Sequence, residues 1–225
     1  MDLGKKLAAL IGERENVGAR LKNWRQRSFF DKIIFTCSET SDNCELSERG
    51  GNERMLIQDL LLAGTPEQAA LITRNATFTY AEMSEKVAAA RTKLAASGVK
   101  KGDRVALVSK NSAEFVLAYL AIVSLGAVAV PVNFQLVARE IAYIIKDAGI
   151  QLVLTAQPLE LKQALQEEAV TFPVAQINLQ EETLWTEAAD AVAAFASDEN
   201  DVATLIYTSG TTGRSKGAML SHDNI

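Results

Sequence analysis

The chain has 225 residues, 48% of them apolar and 23% charged, which is the balance of a soluble globular protein with a sizeable core. A formal net charge of −5 and a pI near 5.1 argue against a nucleic-acid partner, which needs a basic face. Cys37 and Cys44 form neither a disulfide framework nor a zinc-ligand pattern, so a reduced, cytoplasmic setting is expected.

Residues 1–54 carry ten basic and nine acidic side chains, against 13 and 19 in residues 55–225, so the acidity belongs to the later part. The first stretch has a basic helical look (Lys5, Lys6, Arg14, Arg20, Lys22, Arg25, Arg27), but Asp2, Glu13 and Glu15 count against a transit peptide. Residues 38–54 are polar and aperiodic and read as linker or disorder. An appendage over 1–54 and a domain over 55–225 are therefore expected.

From Met55 the pattern is regular. A short helix over Leu56–Ala63 leads to strands at Ala69–Thr73 and Thr77–Thr79. Thr79 and Glu82 make a capping box that opens a helix over Tyr80–Ser97, closed by Gly98. Met83, Val87, Ala90 and Leu94 give that helix one apolar face. A strand at Val105–Val108 precedes a helix over Ser112–Leu125 capped by Asn111 and Glu114, then a strand at Val128–Val130. The segment Phe115–Val132 is nearly apolar for 18 residues, the lower limit for a membrane span. Gly126 and Pro131 divide it, so buried core is the preferred reading and no transmembrane segment is expected. There follow a helix over Val137–Ala148, a strand at Gln151–Leu154 and a helix with Pro158 in its first turn. A strand at Val174–Ile177, a helix over Glu181–Phe195 and a strand at Ala203–Tyr207 complete the order. Strands alternating with helices imply a layered α/β fold with a mostly parallel sheet flanked by helices.

The last strand delivers the most informative segment, Thr208-Ser209-Gly210-Thr211-Thr212-Gly213-Arg214-Ser215-Lys216. Glycines let a backbone approach a ligand closely, and successive amides in a turn form an anion-holding nest. Hydroxyls add rotatable donors, and Lys216 adds a mobile point charge. These are the ingredients of a polyphosphate cradle, placed beyond the carboxyl end of a strand, where open α/β sheets bind ligands. The Walker pattern does not fit, because Gly210 and Gly213 are too close and glycine follows Lys216. A dinucleotide fingerprint is absent at this turn. A solvated loop is the plain alternative.

Tyr207-Thr-Ser-Gly-Thr-Thr-Gly-x-x-Lys216-Gly217, followed by Ser221-His222-x-Asn224, resembles the phosphate loop of the adenylate-forming superfamily, which includes acyl-CoA synthetases, peptide-synthetase adenylation domains and luciferases. Ser215 stands where many members have proline. Phe78-Thr-Tyr80-Ala-Glu82, Gly98-Val-x-x-Gly102-Asp103-Arg104-Val105-Ala106, Asn111-Ser-x-Glu114-Phe115 and Gly126-Ala-Val-x-Val-Pro131-Val-Asn133 resemble the elements that precede that loop in acyl-CoA synthetases. Val130-Pro-Val-Asn133 and Glu140-x-x-Tyr143-x-x-x-Asp147 look more like acyl-CoA ligases than peptide-synthetase modules.

The resemblance implies ATP-dependent activation of a carboxylic acid, a fatty acid by preference, to an acyl-adenylate, then transfer to coenzyme A. It implies ATP, Mg2+ and CoA in the complete enzyme, and assigns the triphosphate to Thr208, Ser209, Gly210, Thr211, Thr212, Gly213 and Lys216. His222, the single histidine, invites a general-base reading. The resemblance instead favours capping and packing at the start of the next helix. The family's acidic magnesium and ribose residues and its C-terminal lysine all follow the phosphate loop. These 225 residues are thus expected to hold no catalytic residue, to be silent alone, and to be the N-terminal portion of an adenylation domain that exposes core and self-associates. A non-catalytic adenine-nucleotide binding or interaction module is the alternative.

Overall fold

A computed structural model describes residues 56–73, 75–186, 191–208 and 215–225. The expected appendage and the position of Met55 lie outside these residues. Two antiparallel strands, β1 (Ala69–Ile72) and β2 (Thr77–Thr79), form a small separate ribbon. The main sheet has six strands: β3 (Arg104–Val108), β4 (Val128–Val132), β5 (Leu152–Thr155), β6 (Ala175–Asn178), β7 (Val202–Thr208) and β8 (Lys216–Ser221). Their order is β6-β5-β3-β4-β7-β8, and all neighbours pair in parallel except β7 with β8. This is the expected layered α/β fold with a mostly parallel sheet.

Parallel strands covered on both faces need apolar side chains on both, and the central strands have them over Val105–Val108, Val128–Val132 and Leu152–Leu154. Successive residues point to opposite faces. Val105, Leu107, Ala129, Leu152 and Leu154 enter one core cluster, while Ala106, Val108, Val130, Val132 and Val153 enter another. Helices α1 (Tyr80–Ala96) and α2 (Ala113–Ser124) cover the first face. Helix α3 (Ala138–Ala148) covers the second, with Leu161 and Leu165 at the short helix α4 (Lys162–Glu167).

The expected box at α1 is present: the Glu82 N–H donates to Thr79 Oγ1 at 3.2 Å, and the Thr79 N–H donates to the Glu82 carboxylate at 2.8 Å. In α2 every residue but Glu114 is buried, as befits a helix apolar all round. The apolar run Phe115–Val132 divides into α2 and β4, and among the described residues no helix is long and apolar enough to cross a membrane.

Several expectations need correction. The cap of α2 is Ser112, whose hydroxyl accepts from the Phe115 N–H at 3.2 Å; Asn111 lies one residue too early to do so. Strand β4 runs through Pro131 to Val132, because its ladder to β7 is made at Ala129, before the residue that lacks an N–H. Pro158 opens no helix. The Gln176 side chain instead holds both the N–H (3.0 Å) and the C=O (2.9 Å) of Leu159, and α4 begins only at Lys162. Of the helix foreseen over Glu181–Phe195, the described residues show a 3-10 turn at Glu182–Leu184 and no helix over 191–195.

Residues 191–195 run as a strap across α1 and α2. The Val192 N–H donates to Thr92 Oγ1 (3.0 Å), Arg91 Nε donates to the Val192 carbonyl (2.8 Å), and the Phe195 N–H donates to the Ser124 carbonyl (2.7 Å). Lys101 Nζ lies 4.7 Å from the Phe195 ring centre and 2.9 Å from Asp201 Oδ2. Strand β8 was not foreseen at all.

Candidate phosphate site at the β7–β8 hairpin

Strand β7 runs parallel to β4, so its last residue, Thr208, emerges at the carboxyl edge of the parallel strands. The chain returns antiparallel as β8, with Tyr207 opposite Gly217 and Thr208 opposite Lys216. The glycine- and hydroxyl-rich segment therefore connects the two legs of a hairpin. Ser209, Gly210, Thr211, Thr212 and Gly213 lie outside the described residues. Lys216 was expected inside the loop, and it is instead the first residue of β8. It is exposed, and among the described residues no carboxylate pairs with its ammonium.

The base of the hairpin is fixed by α3. Tyr143 and Asp147 stand one turn apart and so share a helix face. The Tyr207 hydroxyl donates to Asp147 Oδ2 at 2.5 Å, and the Tyr143 hydroxyl donates to the Ser215 carbonyl at 3.3 Å. Burial, then the hydrogen bond and charge of Asp147, push the Tyr207 phenol far above its ordinary range, so it stays a neutral donor. Gly217 has a steric reason to be glycine: a Cβ there would lie 3.0 Å from Leu205 Cδ1 and 3.1 Å from Tyr207 Cζ. Behind the site, Tyr119 of α2 and Thr204 of β7 share a buried hydrogen bond of 2.7 Å. Burial pushes the Tyr119 phenol up to about 12 against the opposing effect of that bond.

His222 lies at the far end of β8, roughly 20 Å along the strand from Lys216 at about 3.3 Å per residue. Its ring is buried, and Nδ1 accepts the Ile57 N–H at 3.3 Å. Its own N–H donates to the Asp201 carbonyl at 3.2 Å. Burial lowers its pKa, although Asp201 and Asp59 pull the other way. The packing half of the expectation is seen, while the cap of the 3-10 turn His222–Asn224 is Ser221, not His222.

Sequence reasoning missed the partners Tyr143 and Asp147. Their spacing on α3 was visible, but their targets lie 72 and 60 residues away along the chain.

The sequence matches the family model described as AMP-binding enzyme over residues 61–225. Long-chain-fatty-acid–CoA ligase FadD13 of Mycobacterium tuberculosis is 36% identical over 153 residues, 65% of this chain and 30% of that protein. Among solved structures, ATP-bound MatB from Rhodopseudomonas palustris superposes with a TM-score of 0.63 at 31% identity, covering 75% of this chain and 35% of that one. O-succinylbenzoate coenzyme A synthetase (MenE) from Bacillus subtilis, in complex with AMP, gives 0.62 at 34% identity, covering 73% and 41%. The chain belongs to the AMP-binding, adenylate-forming enzyme family. It spans between 30% and 41% of the length of these relatives.

Proposed function

We propose that this chain is the N-terminal portion of an ATP-dependent acid–thiol ligase, in which a carboxylic acid, fatty by preference, is activated to an acyl-adenylate and passed to coenzyme A. The observation that carries this reading is the hairpin that sets Thr208 opposite Lys216 at the carboxyl edge of the sheet, with a glycine- and hydroxyl-rich link between them. Residues 55–225 serve as the nucleotide-binding part and residues 1–54 as an appendage, a division supported by the family match over 61–225.

The chemistry explains why such a link is needed. A carboxylate oxygen attacks the α-phosphorus, a new P–O bond forms, and the bond to the β-phosphate oxygen breaks to release pyrophosphate. An anion attacks an anion, and negative charge builds on the leaving group. Donors from Thr208, Ser209, Gly210, Thr211, Thr212 and Gly213, with the Lys216 ammonium, stabilise that charge and hold the triphosphate in line. A thiol then displaces AMP from the mixed anhydride. Among the described residues, no three acidic, histidine or cysteine side chains come together to hold a metal. The Mg2+ that the resemblance implies is therefore given no ligand here.

The test is nucleotide binding by the 225-residue chain. ATP is expected to bind, and Lys216→Ala is expected to weaken binding about tenfold or more while moving the melting temperature little, because the side chain is exposed. ATP binding with no pyrophosphate release supports a binding portion that is silent alone. Steady pyrophosphate release overturns the silence, and no ATP uptake overturns the phosphate-site reading.

A further inference from the structure

The hairpin needs more than the right residues in its link. Both legs must stand at a fixed place, because a long, flexible lysine side chain is only as well aimed as the backbone that carries it. Among the described residues strand β8 lies at the edge of the sheet, with β7 as its one neighbour. The second support comes from α3, which reaches each leg separately: Asp147 takes the Tyr207 hydroxyl on β7, and Tyr143 gives its hydroxyl to the Ser215 carbonyl just before β8.

Helix α3 is well built as an anchor. Ile141, Ile144 and Ile145 are buried in the core on the second face of the sheet. At its start, the Val137 N–H donates to the Glu140 carboxylate at 3.1 Å. At its end, Gly149 takes the left-handed conformation (φ 64°), and Arg104 Nε donates to the Ala148 carbonyl at 2.7 Å. The Tyr207 ring lies against Gly217 of the facing leg.

We propose that Tyr143 and Asp147 are positioning residues for triphosphate binding, acting through Ser215 and Tyr207 to place Lys216 and Thr208. This rests on the reading of the hairpin as the phosphate site. Neither residue touches the nucleotide in this account. Their effect is geometric: small misplacements of a positioned charge weaken its interaction with an anion steeply. The donor–acceptor pattern also separates a hydrogen-bond tether from a charge effect. At position 147 the tether needs an acceptor oxygen and not a negative charge, so asparagine serves and alanine does not.

The experiment titrates ATP into the 225-residue chain and into Tyr143→Phe, Tyr207→Phe, Asp147→Ala, Asp147→Asn and Lys216→Ala, with amide hydrogen exchange and thermal melts on each. Tyr143→Phe, Tyr207→Phe and Asp147→Ala are expected to weaken ATP binding about three- to tenfold, the size expected for loss of one hydrogen bond. Exchange should speed up at residues 207–208 and 215–217, with β3 and β5 unchanged. Asp147→Asn should stay within about twofold of the parent chain.

Failure of the inference and failure of the underlying reading look different. If the parent chain binds ATP and Lys216→Ala weakens it, yet the two phenylalanine variants bind as the parent does, the positioning role is overturned. Equal loss in Asp147→Asn and Asp147→Ala overturns the tether in favour of charge. Faster exchange spread evenly over the sheet shows general loosening and also overturns it. If the parent chain takes up no ATP, the phosphate-site reading falls first.

Discussion

Acidification should loosen this domain through one residue, and the structure fixes the sign. His222 is buried, and its unprotonated Nδ1 accepts the N–H of the equally buried Ile57. Protonation turns that acceptor into a donor facing a donor, and burial accordingly holds the folded-state pKa below the ordinary imidazole value of 6.5. Asp201 and Asp59 oppose the shift without reversing it. Below about pH 6.5 the unfolded chain takes up a proton that the folded chain resists, so the unfolded state binds more protons and stability falls as pH falls. The contribution of His222 is therefore fully present above the unfolded pKa and is lost as pH drops through the folded pKa. For one such group the loss reaches at most about 1.4 kcal/mol at pH 5.5.

His222→Asn keeps an acceptor near the Nδ1 position and removes the titration, whereas His222→Ala orphans the buried Ile57 N–H at a cost of about 1–3 kcal/mol before any loss of packing. Urea denaturation at pH 7.5 and pH 5.5, a window that lies above ordinary carboxylate titration, measures both effects. The parent chain and the asparagine variant should differ in pH slope, and the alanine variant in absolute stability. An asparagine variant with the parent's slope, or a parent chain that gains stability on acidification, would refute the reasoning.

Two further outcomes follow from buried or terminal hydrogen bonds. Ser112→Ala should cost about 1 kcal/mol by removing the cap of α2, while Asn111→Ala should be within about 0.5 kcal/mol of neutral; denaturant midpoints compare them directly. Tyr119→Phe should cost about 1–2 kcal/mol by leaving the buried Thr204 hydroxyl without its partner. The double variant Tyr119→Phe/Thr204→Val should cost clearly less than the sum of the two single changes, which a double-mutant cycle reads out.

Much of the fold could be read from the chain because local and global preferences agree. The capping box at Thr79 and Glu82 and the apolar runs of β3 and β5 are dictated by their own neighbourhoods; the box appears where expected, and both strands appear within a residue of their expected bounds. The Ala-rich run before Phe195 shows the limit. Its composition favours helix, yet Thr92, Arg91 and Ser124, distant in sequence, capture backbone groups of Val192 and Phe195 and hold residues 191–195 as a strap. Strand β8 lacks the usual signature because Lys216, Gly217, Ala218 and Met219 are exposed on an edge, so no apolar alternation was needed. At the site, the residues that meet the phosphate reading were visible in one motif. The tyrosine and aspartate that steady the hairpin were visible as a spacing on α3 but not as its supports, because hydrogen bonds spanning 60 and 72 residues do not reveal their targets locally.

The strap also constrains how the sequence can drift. Gly126 sits at φ 69°, and a Cβ there would come within 2.9 Å of Phe195 Cδ1 and 3.3 Å of Lys101 Cγ. A side chain at position 126 would thus have to overcome both an unfavourable backbone and an occupied space. Should a descendant of this chain ever lose its glycine there, positions 195 and 101 would have to shrink or swing away in the same lineage. Three sites scattered over almost a hundred positions are in that sense a single heritable unit.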